Sequence, residues 1–366
     1  MSNAWAKGWG SPVEPVERVI LQFGKGKKRK ALRNFSAGTR IGNSLFLSSD
    51  EHAEIDLLSL QPEGGWSGHI QYRLGDLLPL GDAEQEADLE GLSADNGWLW
   101  VVGSHARTRP KVEKAKDERI DLEQLADLKD TRARCLLARL PLVERSGIFH
   151  PVSADGARRA AMLPQGSEGN ALAAALALDP LLSPFTKIPA KEGGVDIEGI
   201  AASGSRIALG MRGPVIGGHG LILEIEIGED DQGALQIVKG PVRRLVALEG
   251  LGVRDLKLMG DDLLILAGPT TALSGPCAIY RWSAWASDLP HDPAKVHLHR
   301  PERLLELPFG RGSDHPEGLA LWGLPDSTTG LMVIYDSPSD ERIDKDAKTL
   351  VADVFRLPTN ALIDPG

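Results

Sequence analysis

A short phrase recurs along this chain. It reads Asp88-Leu89-Glu90-Gly91-Leu92, then Asp196-Ile197-Glu198-Gly199-Ile200, then His315-Pro316-Glu317-Gly318-Leu319. Each copy runs into the same grammar: an apolar stretch, a tight turn, a second apolar strand, a loop and a third strand. Self-similarity at this period implies one supersecondary unit stacked several times, and few folds accept that. Five units can be laid out. The first runs through Ser36–Ile41, Leu45–Asp50 and Ile55–Leu60. The second runs through Asp88–Leu92, Trp98–Gly103 and Cys135–Leu140. The third runs through Asp196–Ile200, Arg206–Gly210 and Leu221–Ile227. The fourth runs through Val253–Leu258, Leu263–Gly268 and Cys277–Trp282. The fifth runs through Glu317–Leu321, Leu331–Asp336 and Val351–Leu357. Fourth strands follow some units, at 69–74, 234–238 and 295–299.

Short strands that pair with their sequence neighbours in four-stranded groups describe the blades of a β-propeller. The expectation is an all-β single domain over residues 14–358, a β-propeller of about five four-stranded blades. A sixth, degenerate blade near residues 141–190 is the alternative. Two insertions with helical patterning, 111–130 and 155–182, lengthen the second unit. The first carries Ile120, Leu122, Leu125 and Leu128. The second carries the Ala- and Leu-rich run from Ala171, which favours helix and can be capped by Ser167 or Asn170. The stretch Glu17–Phe23 has no counterpart in the other units. It is expected to complete the last blade and so remove a loose sheet edge.

The formal net charge is −10. An acidic chain lacks the basic footprint of broad nucleic-acid binding. Met1-Ser2-Asn3-Ala4-Trp5-Ala6-Lys7 has no apolar core of a signal peptide, and no apolar run reaches the roughly 18 residues of a membrane span. The expectation is a cytoplasmic protein without a membrane partner. Cys135 and Cys277 each open the third strand of a different unit, so two buried thiols are expected rather than a disulfide.

In a propeller the first strand of each blade lines a central channel, and its antiparallel neighbour ends where it begins. The starts of first strands and the ends of second strands then share one mouth. That set contains Asp88, Glu90, Asp196, Glu198, Arg254, Asp255, His315 and Glu317, together with Asp50, His105, Arg107, Arg212, Thr270 and Asp336. Converging carboxylates, Glu90, Glu198 and Glu317 above all, would suit Ca²⁺ or another divalent cation. Arg107, Arg212 and Arg254 would instead hold a small anionic ligand through its phosphate or carboxylate. Both together would suit metal-assisted hydrolysis of phosphate or carboxylic esters. The structural alternative is that these charges bond neighbouring backbone and one another, and that the chain is a protein-interaction scaffold. The Gly-rich stretch Met211–Gly220 reads as a loop, because no P-loop signature follows. The basic cluster of Lys25, Lys27, Lys28, Arg29, Lys30 and Arg33 reads as a solvated hairpin loop that could also meet an anionic partner. His297 and His299 alternate on one strand and read as outer-strand surface residues. Trp98 and Trp100 are expected to pack between blades.

Taken together, Asp196–Ile200, Leu209–Pro214, Val253–Leu256 and His315–Leu319 resemble a bacterial family described as a domain of unknown function, over roughly residues 30–357. That resemblance implies a propeller and supplies no activity. More distantly, the recurrent Glu-Gly-[Leu/Ile] is similar to the esterase-like phytase propellers. That likeness touches Glu90, Glu198 and Glu317. Unit four departs from it with Val253-Arg254-Asp255-Leu256, and unit one with Ser36-Ala37-Gly38-Thr39.

Overall fold

The computed structural model describes residues 12–358, apart from 25, 28–29, 50–51, 81–86, 111–119, 130, 272, 290–293 and 310–313. It is an all-β chain in which five strands play the same part: Phe35–Ile41, Leu89–Asp95, Asp196–Ser203, Gly252–Met259 and His315–Gly323. Each lies alongside the next, and the last lies alongside the first, so these inner strands form a closed circuit. From every inner strand a sheet of sequential antiparallel neighbours leads outward. The fourth sheet is typical, with Gly252–Met259, Asp262–Gly268, Cys277–Trp282 and Glu302–Leu307 in order.

The reason these segments are near-continuous apolar runs is that both faces of each sheet are covered. Side chains alternate between faces. Along Asp262–Gly268, Leu263, Ile265 and Ala267 join the cluster shared with the third sheet, while Leu264 and Leu266 join the cluster shared with the fifth. Leu99 and Val101 likewise face the first sheet, and Trp100 and Val102 the third. The buried apolar residues fall into five clusters, one at each junction between successive sheets.

The N-terminal strand Glu17–Gln22 pairs antiparallel with Thr349–Arg356, the outer strand of the fifth sheet. The expected closure is thus present, and a single parallel pairing of Leu21 with Trp66 continues it into the first sheet. The third strand of the second unit is Leu137–Arg145, later than expected. The region around 295–299 is a correction. His297–His299 pairs parallel with Leu235–Val246 of the third sheet, and Glu302–Leu307 supplies the fourth strand of the fourth. Proximity in sequence places the short strand on the fourth sheet, whereas its backbone pairs with the preceding one.

Both insertions contain a helix. Ala171–Leu178 is capped by Asn170, whose side chain accepts from Ala173 N at 3.0 Å. Its Leu172 and Leu176, one turn apart, enter the cluster between the second and third sheets. Of the first insertion, Leu122–Ala126 is helical, with Asp121 as cap; residues 111–119 lie outside the described residues. Cys135 and Cys277 are both buried free thiols. Among the described residues no helix is long and apolar enough to cross a membrane.

Candidate functional site at the mouth of the ring

All five inner strands carry a β-bulge at the same place. Pairing with the second strand slips between Phe35 and Ala37, Leu89 and Gly91, Ile197 and Gly199, Val253 and Asp255, and Pro316 and Gly318. The skipped residues are Ser36, Glu90, Glu198, Arg254 and Glu317. A bulge leaves its extra residue out of the ladder and re-aims its side chain. The repeated Glu is therefore the bulged residue, and the two departures from the phrase, Ser36 and Arg254, occupy the same station.

The residue after the bulge explains the glycines. A Cβ on Gly199 would lie 2.9 Å from Leu256 N and 3.0 Å from Asp255 Cα, and one on Gly91 would lie 2.9 Å from Ile200 Cγ2. Neighbouring inner strands approach too closely there for a side chain.

At the mouth, side chains from different sheets meet. Glu198 is 3% exposed. Its Oε1 is 2.8 Å from Arg212 Nη1, and its Oε2 is 2.9 Å from Arg254 Nε. The second contact is close enough for an ion pair but not aligned as a hydrogen bond, and leaves both atoms without a hydrogen-bond partner. Arg212 also donates to Asp196, and Arg254 also donates to Glu317. Arg254 thus links carboxylates of the third and fifth inner strands. Asp88, at φ +50°, pairs with Arg134 Nη1 at 2.5 Å and accepts from Ser104 Oγ. Ser36 Oγ donates to Leu89 O at 2.7 Å.

Burial is the main influence on Glu198 and raises its pKa. Arg212 and Arg254 oppose the rise, the nearby Asp196 and Asp88 add to it, and the group stands at about 7. Burial works against the charge on Arg212, but Asp196, Glu198 and Glu90 outweigh it and raise its pKa. Asp336, paired across strands with His315, is raised by burial, with Ser337, Arg254 and His315 opposing. Among the described residues, six carboxylates (Asp88, Glu90, Asp196, Glu198, Glu317 and Asp336) thus share the mouth with three guanidinia, those of Arg134, Arg212 and Arg254. Asp88, Asp196, Glu198 and Arg254 are buried; Glu90, Glu317, His315 and Asp336 are half-exposed and form the rim.

Three expected members stand elsewhere. Arg107 is exposed and its Nε donates to Thr186 O at 2.9 Å, in the segment between the second insertion and the third inner strand. His105, at φ +53°, is buried with Nδ1 2.9 Å from Gly103 O and Nε2 3.3 Å from Asn170 Oδ1. Its pKa is lowered by burial, against those two contacts. Asp255 turns away from the mouth toward Lys257, whose Nζ lies 2.7 Å from both of its oxygens. Burial raises Asp255 to about 6 against the pull of Lys257, and burial lowers Lys257. Asp50 lies outside the described residues, as do Lys25, Lys28 and Arg29 of the basic cluster. Lys27 of that cluster is not solvated: it is buried, 2.7 Å from Asp56 Oδ2, while the other oxygen of Asp56, Oδ1, lies 2.6 Å from His69 Nε2.

Sequence reasoning missed Arg134 and Lys257. Arg134 precedes the third strand, a station given no role. Lys257 was legible, because residues two apart share a strand face and Asp255-Leu256-Lys257 replaces small residues of the other copies. As for the metal set, Glu198 and Glu317 are engaged by arginine, and among the described residues no group of three or more His, Cys, Asp or Glu side chains could hold a metal ion.

Solved structures of similar outline include glutaminyl cyclase from Myxococcus xanthus, at 11% identity and a TM-score of 0.37, covering 94% of this chain and 100% of that one. A GH43 β-1,3-galactosidase gives 8% identity and 0.40, covering 93% and 94%. A Thermus thermophilus putative oxidoreductase described as a glucose dehydrogenase gives 12% and 0.34, covering 93% and 100%. At these TM-scores the likenesses decide nothing about activity. No curated protein matches the sequence. Residues 34–353, which include all five inner strands and their bulges, match one family model, and the chain belongs to that family, the proteins of unknown function DUF3616.

Proposed function

We propose that this chain is a five-bladed β-propeller that binds a small polar ligand at the mouth of its central channel, with Glu198 as the proton-exchanging group. Five junction clusters and a closed circuit of five inner strands support the blade count over the alternative of six. The observation that carries the site is Glu198 itself: a buried carboxyl between two guanidinia, beside two further carboxylates, with its pKa raised to about 7. Such a group takes and returns a proton near neutral pH, as general acid–base chemistry requires. Arg212 and Arg254 would stabilise negative charge developing beside it. This arrangement suits hydrolysis of a carboxylic or phosphate ester. A divalent cation, Ca²⁺ included, would need the rim carboxylates Glu90, Glu317 and Asp336 to draw together on binding and Glu317 to leave Arg254, since no three such groups are gathered around one point among the described residues. The flank of Glu198 is taken by positive charge and would repel it.

Melting curves in EDTA, in Ca²⁺ and in inorganic phosphate test this reading, each on the wild type and on Glu198→Gln. Stabilisation by Ca²⁺ supports the rim site. Stabilisation by phosphate that Glu198→Gln alters supports the arginine-flanked site. A flat response to both probes sinks the ligand site and leaves the second reading, a protein-interaction scaffold. One observation favours that second reading: the first insertion presents Leu122, 77% exposed, with Ile120 and Leu125 beside it.

A further inference from the structure

We infer that Asp255 and Lys257 form an axial brace that closes the ring beneath its mouth and positions Arg254 and Glu317. The circuit of inner strands places Gly252–Met259 next to Asp196–Ser203 on one side and His315–Gly323 on the other. Lys257 Nζ nevertheless bonds Leu92 O at 3.2 Å. Leu92 belongs to the second inner strand, which is not a neighbour in the circuit, so this contact crosses the ring's interior. On the opposite side, Asp255 Oδ2 accepts Leu319 N from the fifth strand at 2.7 Å, and Oδ1 accepts Leu256 N at 2.7 Å. One ion pair therefore joins the second, fourth and fifth inner strands.

The room for this pair comes from the other four copies. At the station of Asp255 they have Ala37, Gly91, Gly199 and Gly318. At the station of Lys257 they have Thr39, Ser93, Ala201 and Ala320. Asp255 is 0% and Lys257 5% exposed, so the interior at this level is filled by protein. The mouth is accordingly a blind cup. Because the brace grips the backbone next to Arg254 and two residues from Glu317, it sets where those side chains stand. This positioning role rests on the mouth reading above; the closure does not.

The double variant Asp255→Gly/Lys257→Ala gives the fourth strand the residues already present at these stations in the third and fifth. Amide hydrogen exchange at Leu319 is expected to accelerate at least tenfold, and the Arg254 Nε–H resonance to shift. Unchanged exchange at Leu319 overturns the brace. Faster exchange with an unmoved Arg254 resonance overturns the positioning role. If the double variant does not fold, Lys257→Met and Asp255→Asn report on the same amide and resonance with the same expectations. None of these measurements needs a ligand, so a mouth that binds nothing leaves the closure standing.

Discussion

Two buried charge networks in this molecule are built from the same side chains and behave differently. One is the mouth, around Glu198. The other lies between the third and fourth sheets, around Glu224. There Arg206 Nη2 reaches Glu224 Oε1 at 2.8 Å and Arg244 Nη2 reaches Oε2 at 3.3 Å, while Trp285 Nε1 donates to Oε1 at 2.8 Å. Further guanidinium hydrogens go to the main chain, Arg206 to Trp285 O, Ala286 O and Asp288 O, and Arg244 to Asp288 O, while the Nε of each arginine has no hydrogen-bond partner. Arg206 also covers the Trp285 ring at 4.0 Å. Arg244 and Trp282 hold His299 by a 3.3 Å contact and a 3.9 Å stack, anchoring the short parallel strand. Around Glu224, side chains satisfy backbone and lock a loop in place. At the mouth, side chains chiefly satisfy one another, carboxylates outnumber guanidinia among the described residues, and burial raises the pKa of Glu198 to about 7. The difference separates a structural lock from a candidate site: the identity of the residues does not, but the destination of their hydrogen bonds does.

The sharpest way to break this comparison is Glu224→Ala. It would leave two buried guanidinia and an indole N–H without their shared acceptor. The expected loss of stability is about 3–5 kcal/mol, read by denaturant unfolding. A loss below 1 kcal/mol would show that the backbone carbonyls alone hold the arginines.

Glu198→Gln should act through pH instead. The carboxyl titrates at about 7 in the fold against 4.5 for the ordinary group. The folded chain thus holds an extra proton between those values. Its stabilising contribution is complete below 4.5 and is lost as pH rises through 7. At about 1.4 kcal/mol per unit, wild type should lose on the order of 3 kcal/mol relative to Glu198→Gln across that window. Parallel stability–pH curves for the two proteins would remove Glu198 as the proton-exchanging group.

The smallest effect belongs to His299, and it has the opposite sign. Burial first, then Arg244 and His297, lower its pKa from 6.5, against Asp288 and Glu224. A neutral imidazole accepting from Arg244 is favoured, so stability is complete above 6.5 and is lost as pH falls through the lowered value. His299→Gln should flatten the acid side of the melting profile while leaving the neutral side unchanged. An unaltered acid limb would refute a neutral-ring lock at this strand.

Much of this architecture was legible because it is written in repeats. The phrase located all five inner strands, and its broken copies, Ser36 and Arg254, proved to occupy the same bulge as the intact ones. Apolar runs such as Leu263–Gly268 marked the second strands, and the structure covers both of their faces. His297–His299 was placed on the wrong sheet because proximity in sequence does not foresee a parallel return. Strand ends alone place Arg107 and His105 at the mouth, but Asn170, in the second insertion, and Thr186, just beyond it, supply the partners of these side chains. Composition alone reads the basic cluster as solvated, yet Lys27 is held over the Phe35 ring by the buried Asp56.

By itself the sequence determined a repeat of small antiparallel units, the station where each unit meets the axis, and the residue types gathered there. These are local matters of period, turn and alternation. Only the tertiary structure decided which carboxylate faces which guanidinium, that Lys257 bonds Leu92 O, and that Glu198 is buried deeply enough for its pKa to rise to about 7. Those outcomes depend on the register between inner strands distant in sequence and on exclusion of water, and both are set by how the five sheets pack.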